Sequence, residues 1–133
     1  MARTYTVFIS HSWDYADDLM GLRRLLINRG YFHVNFQEVP AHDPINSDND
    51  NYIKSVIRQK LKDSDVVIGM AGYYGSFSKW MEWELETAKA MGKPILAVIP
   101  WGQTRISQFV AGLANKTVHW NTESIVNAIR ELA

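Results

Sequence analysis

The stretch Ser78-Lys79-Trp80-Met81-Glu82-Trp83-Glu84-Leu85 carries the residue pattern most able to do chemistry. On a helix turning about 100° per residue, Met81, Leu85 and Ala88 share one apolar face. Glu84 falls at the flank of that stripe, one turn after Trp80 and on the same side. A carboxylate beside an aromatic wall loses part of its hydration and holds its proton more tightly, which is how functional acids are tuned. Glu82 and Glu86 point to the other flank and read as solvated helix charges. The plain alternative is a solvated Glu84 and a Trp80 that only packs, and periodicity leaves both open. Trp83 falls opposite the stripe, either as an exposed contact surface or under a neighbouring element. Two further polar clusters, Ser10-His11-Ser12-Trp13-Asp14 and Tyr73-Tyr74-Gly75-Ser76, follow apolar runs.

Other chemistries lack their residues. The chain has no cysteine, which removes thiolate catalysis, disulfides and zinc–thiolate sites. Neither GxxxxGK[ST] nor GxGxxG occurs, so phosphate-cradling loops of those kinds are missing. His11, His33, His42 and His119 show no metal-ligand spacing, and no metal site is expected. A phosphoacceptor receiver needs an acid at the end of its third strand, where this chain has Met70-Ala71-Gly72. A flavin phosphate loop needs glycine among the hydroxyls of Ser10-His11-Ser12-Trp13, and there is none. Fourteen Lys and Arg balance fourteen Asp and Glu, which argues against nucleic acid as a partner. No run of about 18 apolar residues is present to cross a membrane, and the N-terminus does not read as a signal peptide. A cytoplasmic protein is expected.

The elements that must position these clusters alternate between short β-branched runs and helical patterns. Strands are expected at Thr4 to Ser10, Phe32 to Phe36, Asp65 to Ala71, Pro94 to Ile99 and Val118 to Trp120. Helical spacing links Leu19, Leu22, Leu25 and Leu26, with Gly30 as a stop, then Ile53, Val56, Ile57 and Leu61. A third helix is expected from about Lys79 to Gly92 and a weaker one from Ser107 to Leu113. Thr122 reads as the N-cap of a closing helix with Ile125, Val126, Ile129 and Leu132 on one face. With no linker or repeat, residues 1–133 are read as a single domain of 15.3 kDa.

Such alternation predicts an α/β fold of three layers, doubly wound around a mostly parallel five-stranded sheet in the flavodoxin-like order 2-1-3-4-5. Ligands of that fold sit beyond the carboxyl ends of strands one and three. The segments after Ser10 and after Ala71 should therefore meet at the site. The Gln37 to Asn49 connection, long for its kind, emerges on the same side and reads as a binding loop or a plain surface loop.

Together these segments resemble a known family. Val7-Phe8-Ile9-Ser10-His11-Ser12, with Asp14 shortly after, is similar to the opening strand and loop of bacterial TIR domains. Ser78-Lys79-Trp80-Met81-Glu82-Trp83-Glu84-Leu85 resembles their second signature, a serine and tryptophan followed four residues on by glutamate and leucine. Ser64 to Ile68 and Lys93 to Ile99 match the strands around it. The resemblance covers about Tyr5 to Pro100 and is nearest to the TIR-like proteins of Thoeris antiphage systems. The Asp- and Asn-rich loop around Pro40 and Pro44 departs from the animal and plant pattern.

The resemblance implies cleavage of NAD at the nicotinamide–ribose bond, with Glu84 as the catalytic residue. NAD is then a substrate, and no cofactor is expected. Nicotinamide leaves a pyridinium as a neutral molecule, so no general acid is needed. A carboxylate near the ribose can stabilise the oxocarbenium-like transition state. Water as nucleophile gives ADP-ribose; an adenine nitrogen or ribose hydroxyl gives a cyclic ADP-ribose species. By position, Phe8, Tyr73 and Trp80 are candidate substrate walls, and Ser10, His11, Ser12 and Ser78 candidate polar contacts. Each has an ordinary packing or capping alternative. The family also implies assembly with copies of the chain or other TIR-like chains, and a separately encoded effector reached through the nucleotide signal. The competing reading is a non-enzymatic TIR-like scaffold that binds a nucleotide or a protein.

Overall fold

The computed structural model describes residues 3–10, 16–37, 50–71, 79–100 and 107–133. The elements run β1 (Thr4–Ser10), α1 (Ala16–Ile27), β2 (His33–Gln37), α2 (Asp50–Lys62), β3 (Val66–Met70), α3 (Lys79–Ala90), β4 (Ile95–Val98), α4 (Gln108–Leu113), β5 (Lys116–Val118) and α5 (Thr122–Leu132). The five strands form one sheet in the order β2-β1-β3-β4-β5. Every pairing is parallel, so the expected mostly parallel sheet is wholly so.

Burial explains why these runs become central strands. Every residue of β3 and β4 is buried, as is β1 from Val7 onward. A sheet covered on both faces favours continuous apolar runs over alternation. Contacts group α2, α3 and α4 in succession and bring α1 against α5, as a doubly wound sheet requires. Leu22 and Leu26 of α1, Ile57 and Leu61 of α2, and Met81, Leu85 and Ala88 of α3 are all buried. Each fully buried large aliphatic side chain contributes about 1.5–3 kcal/mol of transfer free energy.

The ends of the elements are fixed by named bonds. Gly92, at φ 75°, closes α3: its N–H donates to the Lys89 carbonyl at 3.1 Å, and Lys93 N–H donates to Ala88 at 3.0 Å. That is a Schellman closure, and a left-handed residue at this point is normally glycine. Lys93 Nζ then donates to the carbonyls of Lys62 and Ser64 at 3.0 and 2.9 Å, neutralising the end of α2. At the amino ends of the strands, Asp65 accepts the Thr6 N–H at 2.9 Å and pairs with Arg3 at 3.3 Å.

Most elements begin and end within one or two residues of expectation, and two boundaries differ for identifiable reasons. The last strand lies at Lys116–Val118 rather than Val118 to Trp120. Asn115 N–H donates to the Ile95 carbonyl and its Oδ1 accepts the Ile95 N–H, which starts the pairing two residues early. The cap of α5 is Asn121, whose Oδ1 accepts the Ser124 N–H at 3.0 Å, and Thr122 is the first helical residue. Ser107 caps α4. Among the described residues no helix is long and apolar enough to cross a membrane.

Candidate functional site

Ser10 ends β1 and sits in register with Gly69 of β3, at the carboxyl edge of the two central strands. Side chains alternate along a strand, so Phe8 and Ser10 leave β1 on one face. That face meets α3, because the Ser10 hydroxyl donates to Glu84 Oε1 at 2.8 Å. Glu84 lies in the second turn of α3 and is 2% exposed; Ser10 is fully buried.

Gly69 gives the pair its apolar surroundings. A Cβ there would stand 2.8 Å from Val110 Cγ1 and 3.3 Å from Leu85 Cδ2, so α3 and α4 fill the space a side chain would take. Sequence reasoning missed this residue. Its only sign was a glycine inside an otherwise β-branched strand, which marks a close approach.

Removal from water governs the acid. Burial pushes Glu84 from its ordinary 4.5 up to about 8, and the Ser10 hydrogen bond opposes that rise without cancelling it. At neutral pH the group therefore holds a proton, and it is poised to release it when a positive charge comes near. The arrangement can answer a cation with a carboxylate at the site where this fold places ligands.

Glu84 and Ser10, 74 residues apart in the chain, are thus brought together. Phe8 takes a different place from the substrate wall expected of it. Its side chain has no exposure and forms part of the core, because α3 packs on β1 at that face. His11, Ser12, Tyr73 and Ser78 lie outside the described residues, as does the loop from 38 to 49. Trp80 belongs to the first turn of α3, with its side chain outside the described residues. Glu82 and Glu86 are exposed, as the helix pattern required. Trp83 is half-buried rather than openly exposed. Lys54 Nζ and Arg58 Cζ of α2 lie 5.6 and 5.4 Å from its ring centroid.

The sequence from residue 8 to 105 matches the family model of the Thoeris protein ThsB, TIR-like domain. The chain belongs to that family. No curated protein matches its sequence. Among solved structures it is similar to the CMP N-glycosidase BcmB of Clostridium botulinum, at 17% identity and a TM-score of 0.56, over 94% of this chain and 98% of that one. It is similar also to a pilus assembly-related protein of Burkholderia pseudomallei, at 14% identity and TM-score 0.58, over 96% and 88% of the two chains. Era of Aquifex aeolicus, bound to GDP and aluminium fluoride, gives 14% identity and TM-score 0.61 over 98% of this chain and 57% of its own. At these identities the likeness is one of fold.

Proposed function

We propose that this protein cleaves NAD at the bond between nicotinamide and ribose, in the service of antiphage defence. The observation that carries the reading is Glu84, buried beside the Ser10 hydroxyl at the carboxyl end of β1, in a chain of the Thoeris TIR-like family. A buried acid held by one hydroxyl still costs folding free energy, and such acids cluster at functional sites. The scaffold reading has less support from Trp83, because the ring is half-buried and Lys54 and Arg58 of α2 lie against it. One structural neighbour is named a CMP N-glycosidase, which supports the choice of an N-glycosidic bond as the target.

In the proposed reaction the pyridinium of NAD approaches Glu84 and favours its ionisation, so the proton held at rest passes to solvent. The nicotinamide N–C1′ bond then breaks, and its electron pair stays with nicotinamide, which leaves neutral. The charge developing on the ribose faces the carboxylate, in surroundings where an electrostatic contact is stronger than in water. Water adding to C1′ and losing a proton gives ADP-ribose; a nucleophile of the same molecule gives a cyclic product. NAD is consumed as substrate, and assembly with further TIR-like chains and signalling to a separate effector belong to the same proposal.

The test is incubation of purified protein with NAD beside a Glu84→Gln variant, alone and with extract of infected cells, products being separated by mass. Nicotinamide release by the wild type, lowered at least about 100-fold in a folded variant, is the expected outcome. Equal release by both, or none under either condition, sinks the reading. The mass of the second product separates hydrolysis from cyclisation.

A further inference from the structure

We propose that Ser10 is a positioning residue for Glu84: its hydroxyl fixes Oε1 at the end of β1 and stabilises the carboxylate that the reaction needs. The inference rests on Glu84 being the reacting acid, and it changes the role that sequence position assigned to Ser10. A hydroxyl that donates to ribose or phosphate must turn its proton toward the ligand. This one turns its proton to Glu84 over 2.8 Å, which commits it to the acid.

Among the described residues, the surroundings leave this work to Ser10. The paired residues of β1, β3 and β4, and those of α4, include no Asp, Glu, His, Lys or Arg; Tyr5 lies toward the other end of β1. From α2 the facing cations are Lys54 and Arg58, and both are engaged over the Trp83 ring. On α3 itself Glu82, Glu86 and Lys89 are exposed. Among the described residues, burial raises the acid's pKa and the Ser10 bond opposes that rise. In register beside Ser10, Gly69 offers no polar side chain, and Leu85 and Val110 close the space with methyl groups. A hydrogen bond to the ionised form is worth most in such a setting, where water cannot replace it.

The experiment is a carbon-13 titration of the Glu84 carboxyl in glutamate-labelled protein, its signal assigned by disappearance in Glu84→Gln. Wild type, Ser10→Ala and Ser10→Thr are compared, with the pH profile of kcat/KM for NAD measured alongside. Ser10→Ala is expected to titrate about one pH unit higher. The rising limb of kcat/KM should move with it, while KM well above that limb stays within about twofold. Ser10→Thr, which keeps the hydroxyl, should return both readings toward wild type. If Ser10→Ala does not fold, Ser10→Cys, a weaker donor, should give a displacement of the same sign.

An unmoved Glu84 titration in a folded variant overturns the proposal. So does a raised KM with an unmoved pH profile, because the hydroxyl would then be touching substrate. The titration needs no turnover. If neither wild type nor variant consumes NAD, the functional reading fails, while the carboxyl signal still decides whether Ser10 holds Glu84.

Discussion

Between its ordinary 4.5 and about 8, Glu84 carries a proton in the folded chain that it gives up in the unfolded chain. The folded state binds more protons over that window, so this group's contribution to stability declines as pH rises through it. Below 4.5 both states are protonated and the penalty is absent; above about 8 it is complete. Each pH unit of the window is worth about 1.4 kcal/mol. Denaturant unfolding at a series of pH values should therefore show wild type losing ground to Glu84→Gln from pH 5 upward. The total change in the difference is on the order of 4 kcal/mol by pH 9. A difference that stays flat with pH would mean that Glu84 ionises freely in the folded protein. Helical periodicity at Trp80, Met81 and Leu85 was enough to single out this residue, yet it placed the carboxylate only at the flank of the buried stripe. Its near-complete burial comes with the packing of α3 on β1, which no count along α3 can register. The same limit applies to Ser10, a plausible substrate hydroxyl in the sequence and an internal donor in the fold.

At the scale of the element, α4 and α3 approach β3 so closely that glycine at 69 is a packing requirement. An added methyl in Gly69→Ala collides with Val110 and crowds Leu85. The expected cost is about 1–3 kcal/mol, read as a lowered denaturation midpoint. Because Leu85 adjoins Glu84, NAD turnover should fall in the same variant, and a stable Gly69→Ala protein of full activity would contradict the packing argument. The buried strands were easy to locate in the sequence, since β3 and β4 are apolar throughout and β1 carries the apolar run Val7 to Ile9. The edge was harder. In Lys116–Val118 only Val118 is buried, so the signal drew attention to the β-branched and aromatic residues after it. Trp120 instead packs beside Gly21, with its ring 3.4 Å from where a Cβ would stand on that residue. Asn121 and Thr122 are both good capping types, and only the extended backbone of Asn121, at φ −146° and ψ 124°, selects between them.

Across the whole molecule, the acid and its hydroxyl belong to the central sheet and the helix packed on it. Both are buried in the elements that hold the fold together. A pair built there has no separate way to melt. In a urea titration the signal of the folded Glu84 carboxyl should vanish at the same concentration as the helical ellipticity, as for a cooperative single unit. Loss of the carboxyl signal at clearly lower urea would assign the pair to a part that opens by itself.

The separation of 74 residues between Ser10 and Glu84 has a polymer consequence. Their contact closes a ring of chain, and the entropy of closing such a ring grows only with the logarithm of its length. Residues added to the connection between β2 and α2 enlarge that ring slightly, and even doubling the whole of it costs about 0.6 kcal/mol. The register of β1 with β3 and the seat of α3 are set by other contacts. The connection between β2 and α2 is thus threaded between the two site residues in sequence, and a change in its length leaves their hydrogen bond in place.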